Sequence, residues 1–529
     1  MSFSDPAAAN AVNATIAAFD ALGVNVYLLS LDIRKADAVF LNVCAMLVFA
    51  AQIGFAMLEV GSVRVKNTKG ILLKNVMDLC ASAVSFFLIG YGLALGKSVG
   101  GGVFGGRVGD GFAMRTDNLS GSEATGDVVV SYSQAFFTMC FSATSATIVS
   151  GAVAERCSFR AYFVAATLVS GLIFPVVVHW SWGDDGWLAP VRSQHKLLSS
   201  VGVLDYAGSG FVHVVGGCAA FWLTYLIGPR QGRFTKGKRA PNPMPQQSPV
   251  FQVIGGLIMW YGWYGFTCGS IKTLAGPRIA SLARVGLIHT LSGAVGGCTV
   301  MAIDLYLEPN VFMPFRMIYG SLSALVAASA SAAHIHISIS LCIAFVAGFI
   351  YVITSHLMTH VWRLDDVVDA VPIHFFNGIW GVIAAALFSD KRFLQQTYGA
   401  AYAGCGLVYG CAKGPAVLGN AMLYIVSIII WVTVTFVPVM WLIKKYGWLR
   451  ISSEQERIGT DAALHGGESY PEFQSAIFNF KDKITGSQSK LEMRVRASEA
   501  AKIATTLAAL MDTSVTSDEQ SLPDFDESP

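Results

Sequence analysis

The sequence predicts an all-α polytopic membrane protein with eleven transmembrane helices, and three observations lead there. Hydrophobic residues make up 54% of the chain and charged residues 13%, roughly half the charged share of a soluble protein. Mean hydropathy is +0.55. Charge is also segregated: residues 447–529 carry 22 of the 70 Asp, Glu, Lys and Arg, and the first 446 residues carry the other 48. An apolar body followed by a polar tail is not the pattern of several soluble domains, although 529 residues would otherwise suggest three or four. Disorder, coiled coil and disulfide scaffolds are excluded for most of the chain. A net charge of +2 gives no reason to expect nucleic acid as a partner.

A hydrocarbon core ~30 Å thick takes about 20 apolar helical residues. Runs that meet or approach this lie near 37–58, 71–95, 128–153, 162–182, 207–227, 250–267, 280–303, 314–332, 337–358, 371–388 and 420–443. Eleven crossings place the termini on opposite sides. Basic residues fall in alternate loops: Arg64, Lys66 and Lys69; Arg156 and Arg160; Arg230, Arg233, Lys236, Lys238 and Arg239; then Lys444, Lys445 and Arg450. Basic loops stay inside, so the N-terminus is expected outside and the C-terminus in the cytoplasm. The first 35 residues lack the basic start and apolar stretch of a cleavable signal peptide. The expected parts are an extracellular segment at 1–35, a membrane body at 36–446, a cytoplasmic segment at 447–470 and a largely disordered tail at 471–529.

Within that tail, Leu491, Val495, Ile503, Leu507 and Leu510 predict an amphipathic helix over 490–511, and the acidic run 512–529 predicts disorder. The tripeptides starting at Asn13 and Asn118 fit glycosylation acceptors on the outer side. Ten scattered cysteines, with no CxxC pair, read as buried hydrophobes rather than metal or redox groups. Cys405 and Cys411 share one loop and form the plausible disulfide. No cofactor or metal is expected.

Two ionisable groups lie where hydrocarbon makes them costly. His213 follows Asp205 by eight residues and precedes Gly217 by four; His374 stands in the same relation to Asp366 and Gly378. The span holding His213 enters from outside and the span holding His374 from inside. One local pattern therefore occurs twice with opposite polarity, 161 residues apart, as in an inverted five-helix repeat whose shared site lies near the midplane. Each Asp is placed to cap its helix, and each His lies about 12 Å deeper. The alternative is two unrelated hydrogen-bonded core histidines. Aromatics form a second group on the outer side: Phe141, Trp182, and Phe266 with Ser270 close behind it. They read either as interfacial belt residues or as a cation site built on ring faces.

These residues resemble the ammonium transporter family, the Amt/Mep/Rhesus superfamily, in its plant-like branch. The similarity is carried by Asp205 through Ala220 with Gly228-Pro-Arg230, by Gly54 to Glu59, Leu72 to Asn75, Gly151 to Arg156 and Gly378 to Gly381, and covers roughly 36–470. The resemblance implies eleven helices per subunit, a plasma-membrane homotrimer among lipids, one pore per subunit, ammonium or ammonia and protons as cargo, and no enzymatic activity. It implies outer recruitment by Trp182 and Ser270, a gate of Phe141 and Phe266, support of the entrance by Asp205, and a twin-histidine pore at His213 and His374. Arg450 through Gly467, with Gly459 and Asp461, resembles the cytoplasmic regulatory segment, docked beneath a neighbouring subunit. Two positions depart from the family: Ala463 replaces the threonine that often precedes the tail histidine, and Thr267 replaces an asparagine. A Rhesus-type gas channel, an ammonium sensor signalling through its tail, and a haem protein using the two histidines are the competing readings.

Overall fold

A chain in hydrocarbon has to satisfy every backbone N–H and C=O within itself, so long apolar runs become helices. The computed structural model describes residues 26–99, 101–106, 127–190, 201–238, 240–311 and 313–470, together with 502–503 and 505–506. The main helices are α1 (Val26–Ser62), α2 (Val65–Leu95), α3 (Asp127–Ala152), α4 (Phe159–Trp182), α5 (Ser209–Ile227), α6 (Pro249–Gly269), α7 (Gly276–Leu307), α8 (Pro314–Ser329), α9 (Ile337–Val361) and α10 (Val371–Phe388). The short α11 (Lys391–Tyr398) then leads to the long α12 (Gly414–Lys445). A two-stranded hairpin of Ser98–Val99 and Phe104–Gly105 follows α2.

A helix stands at each of the eleven apolar runs. Among the described residues nine of them are long and apolar enough to cross a membrane. The other two are α8, with 16 residues, and α6, which carries five glycines, two Trp and two Tyr in place of aliphatic residues. Helix α1 begins at Val26, ahead of the expected start of the body near 36, because Asp32, Arg34 and Lys35 interrupt the apolar run without breaking the helix.

Burial sorts the helices into an inner and an outer set. The apolar windows of α3 and α5 are 89% and 83% buried, whereas that of α12 is 28% buried. The exposed faces of the outer helices are themselves apolar, with Phe345, Phe349 and Ile353 on α9 and Val426, Ile430 and Val434 on α12. An apolar exterior around a polar-spotted interior is the arrangement lipid demands.

Glycine lets the inner backbones approach. Along α1 and α6, a methyl group on Gly54 would meet the Gly255 carbonyl and the Met259 amide at 2.7 Å, and one on Gly262 would meet the Leu47 carbonyl at 2.8 Å. On α7 and α8, a methyl on Gly320 would lie 2.7 Å from the Gly296 carbonyl. Close contact of small residues replaces the hydrophobic effect, which cannot drive helix association in lipid. The crossing of α5 and α10 is as tight: a methyl on Gly217 would fall on the Phe375 backbone, and one on Gly378 would lie 2.6 Å from the Ser209 carbonyl.

Outside the helices, Cys405 and Cys411 are joined in the loop after α11. The described residues through Gly467 form one compact unit. The Asn13 and Asn118 tripeptides and the acidic run 512–529 lie outside the described residues. So does most of the helix expected over 490–511, whose four described residues, 502–503 and 505–506, are helical.

The crossing of α5 and α10 yields a stability test. Gly217→Ala and Gly378→Ala each force backbone apart and should cost about 1–3 kcal/mol. Gly286→Ala in α7, where a methyl meets nothing within 4 Å, should be neutral or slightly stabilising. Thermal unfolding of the three variants in detergent measures the contrast.

Candidate functional site

The histidines are positioned by two equivalent turns. Helix α5 opens with a wide turn over Ser209–Val214, and α10 opens with one over Val371–Phe376. Each leaves free amides that an aspartate collects. Asp205 accepts from the N–H groups of Gly208 (3.1 Å), Gly210 (3.0 Å) and Phe211 (3.1 Å), and from the Tyr424 hydroxyl (3.2 Å). Asp366 accepts from Val368 (3.3 Å) and Val371 (2.7 Å). Burial pushes the Asp205 carboxyl up to about 6, against the pull of these donors. Burial, with Asp369 beside it, pushes Asp366 up to about 7.

These turns deliver His213 and His374 to each other. Their Nδ1 atoms lie 3.1 Å apart, and the rings are nearly parallel at a centroid distance of 5.1 Å. One Nδ1–H donates and the other Nδ1 accepts, so the pair is satisfied when both rings are neutral. The outer nitrogen of His213, Nε2, is buried and has no hydrogen-bond partner among the described residues. Beyond His374, a cavity of about 20 Å³ is lined by Phe55, Met259, Leu322 and Ile373 together with the polar Glu59 and Thr147, room for about one water-sized molecule. Two imidazoles in direct contact leave no space for the macrocycle that a haem reading requires.

An aromatic column stands on the other side of His213. Phe141 and Phe266 are stacked at 3.9 Å with 13° between their planes. The Phe266 ring is 5.7 Å from that of His213. Trp182, at the end of α4, lies 5.8 Å from Phe141, and its Nε1–H donates to the Asp205 carbonyl at 3.1 Å. Ser270 sits one turn beyond Phe266, and its hydroxyl donates to the Phe266 carbonyl at 2.8 Å. The expected outer residues and the histidine pair are thus one continuous structure, with Asp205 behind it as a brace.

Sequence reasoning did not single out three further residues here. Trp263 stacks on His213 at 5.3 Å, Phe211 packs edge-on against Trp182 at 4.8 Å, and Tyr424 holds Asp205. Trp263 was detectable as the residue one helical turn before Phe266, and Phe211 as the aromatic two residues before His213. Tyr424 comes from a distant apolar helix and carried no local signal.

The segment after α12 is seated on the basic-loop face of its own chain. It holds two short helices, Ser453–Ile458 and Thr460–Leu464, joined at Gly459. Gly459 has φ +112°, and a methyl there would lie 2.6 Å from the Lys66 carbonyl. Lys66 Nζ donates to the carbonyls of Glu456 (2.9 Å) and Arg457 (2.6 Å). The Asp461 carboxylate accepts the Gly70 N–H at 3.0 Å, and the Thr460 N–H donates to the Asn67 side chain at 2.9 Å. Arg450 pairs with Glu456 at 2.7 Å and also donates to the Ile227 and Pro229 carbonyls. Close by, Arg230 joins Asp365 and Glu155, each at 2.8 Å.

The profile of the Ammonium Transporter Family matches residues 39–470. "Ammonium transporter Amt2" of Archaeoglobus fulgidus is 36% identical over 442 residues, covering 83% of this chain and 88% of that protein. "Ammonium transporter 1 member 3" of Solanum lycopersicum is 33% identical over 446 residues, covering 82% and 93%. Among solved structures, one titled "Sensor Amt Protein" superposes with a TM-score of 0.71 at 25% identity, covering 82% of this chain and 99% of that one. Saccharomyces cerevisiae Mep2, at 21% identity and TM-score 0.67, has the same fold.

The Asp205 brace gives the next test. In Asp205→Asn an NH₂ group faces backbone donors, and each donor stranded costs about 1–3 kcal/mol. Tyr424→Phe removes one of four donors and should cost about 0.5–1.5 kcal/mol. Thermal unfolding should rank Asn well below Phe; equal stability would remove the carboxylate's bracing role.

Proposed function

This chain belongs to the ammonium transporter family, and we propose that it moves ammonium across the plasma membrane through a pore running from Trp182 past His213 and His374. The pore crosses a body of eleven spans, α6 and α8 included, in a subunit of a homotrimer with its N-terminus outside. The Cys405–Cys411 disulfide supports that orientation: it lies in the loop between α10 and α12, opposite the basic loops, where an oxidising exterior would maintain it.

Ammonium has an amine-like acidity, so the cation dominates at neutral pH, as for lysine. The Trp182 ring face attracts it, with the Ser270 hydroxyl beside it. The stacked Phe141 and Phe266 rings, at 3.9 Å, leave no opening and part to admit it. Below them the apolar wall strongly disfavours a full charge. His213 Nε2 offers the vacant polar atom that takes a proton or a hydrogen bond. The contact to His374 provides the next step for either. Potassium has no proton to give up and is rejected there. The observation that carries this reading is the pair of touching, buried imidazoles directly beneath an aromatic gate.

Selectivity is the decisive measurement. His213→Asp or His374→Asp places a fixed acceptor in the pore, and potassium should then compete with ammonium or carry current. Replacing either with Ala should instead cut flux by at least roughly tenfold while the protein remains folded. Ammonium and potassium currents on the same reconstituted variants separate this from histidines that only pack, which predict unchanged selectivity and rate.

The segment 450–467 is the regulatory part of this proposal, acting through Gly459 and Asp461. Gly459→Asp strains the backbone and strikes Lys66, so uptake should fall, and should fall further than dilution allows when the variant is co-expressed with wild type in mixed trimers. Normal uptake by the variant would remove regulation from this segment.

A further inference from the structure

The outer cation site already faces a cation. Lys272 lies two residues beyond Ser270, in the loop leading from α6 to α7, and its Nζ is 4.0 Å from the centre of the Trp182 ring. That is well inside the ~6 Å over which a ring face attracts a cation. The backbone is bent to put it there. Lys272 has φ +65°, in the left-handed region that glycine or asparagine normally takes at the end of a helix. Its N–H caps the Gly269 carbonyl at 3.0 Å. A non-glycine residue held in this conformation costs roughly 1–2 kcal/mol, and here it turns the side chain back over Trp182.

The Lys272 head is otherwise lightly held. Among the described residues its Nζ has no hydrogen-bond acceptor within reach and forms no ion pair; the ring face is its described contact. Burial draws its basicity down to about 8, with Asp184 pulling the other way and Arg278 adding to the effect of burial. It remains largely charged at neutral pH. A lysine head is the nearest thing a side chain offers to an ammonium ion: a compact N–H-bearing monocation of the same charge.

We propose that Lys272 is a tethered competitor at the outer site, its ammonium group resting on the Trp182 face that a free ammonium ion has to take. The cargo gains the site by displacing Lys272, so this side chain sets the apparent affinity of the transporter. Tethering gives the lysine a high local concentration without new contacts, while its weak hold allows displacement. The inference rests on the proposed recruitment of ammonium at Trp182, and its test separates the two.

The probe is ammonium chloride, read in two ways on purified protein: uptake into proteoliposomes, and thermal stabilisation in detergent as a measure of binding. Three variants are compared with wild type. Lys272→Gly removes the side chain and suits the left-handed backbone, so it protects against misfolding. Lys272→Met keeps length without charge. Lys272→Arg keeps the cation. Gly and Met should lower the KM and the half-stabilising ammonium concentration together, by roughly two- to thirtyfold, the span of a cation–π contact. Arg should stay at or above the wild-type values. A lysine that merely packs on Trp182 would lower stability in Gly and Met without tightening ammonium.

If wild type transports ammonium but Gly and Met leave both readouts unchanged or weaker, the competitor role is overturned and transport stands. If nothing is transported but ammonium binds more tightly to Gly and Met, the competitor role stands and the transport reading fails. If ammonium neither binds nor is carried by any variant, both are overturned.

Discussion

The histidine pair depends on two backbones coming closer than any side chain would permit. Gly217 of α5 lies against the turn of α10 that carries His374, and Gly378 of α10 lies against the turn of α5 that carries His213. Because the contact is reciprocal, each helix locates the histidine of the other. The 3.1 Å contact between the rings is the result, and it could not persist if either crossing point widened by the thickness of a methyl group. The aspartates complete the arrangement by holding the amides that the wide turns release. Asp, His and Gly at one fixed spacing are thus three parts of one joint: cap, functional group and clearance.

Aromatic rings enclose that joint. Phe266 and Trp263 lie against His213 on one side and Phe55 faces His374 on the other. Rings close both ends, and a small cavity lies beyond His374.

The body was legible because hydrophobic length and period survive without knowledge of tertiary contacts. Each apolar run became a helix, and the twofold Asp–His–Gly spacing pointed to two histidines that meet. The weakest signals were α6 and α8, where glycine, aromatic and small residues replace aliphatic ones because these helices serve close packing more than lipid contact. The wide turns at Ser209–Val214 and Val371–Phe376 were not legible at all. One extra residue per turn leaves the apolar pattern almost intact, yet it redirects each histidine. Tyr424 and Lys272 escaped for a different reason. Their importance comes from what lies opposite them, Asp205 in one case and Trp182 in the other, and no spacing within their own segments records that.

The seat of the C-terminal segment does not share the symmetry of the histidine pair. Its contacts fall on the start of α2, at Lys66, Asn67 and Gly70, on Arg156 and Ser158 after α3, and on the end of α5 and the loop beyond it, at Ile227 and Gln231. All of these contacts lie between α1 and α6. The turn of α10 is reached through Arg230, which the same face presents to Asp365, the neighbour of the residue that caps α10. The two turns therefore contribute equally to the histidine pair, while the C-terminal segment is fastened on the α5 side. If that segment regulates as proposed, its displacement would reach the two histidines by routes of unequal length, directly along α5 and only across a salt bridge to α10. The proposed regulator would then work as a lever with one fixed arm.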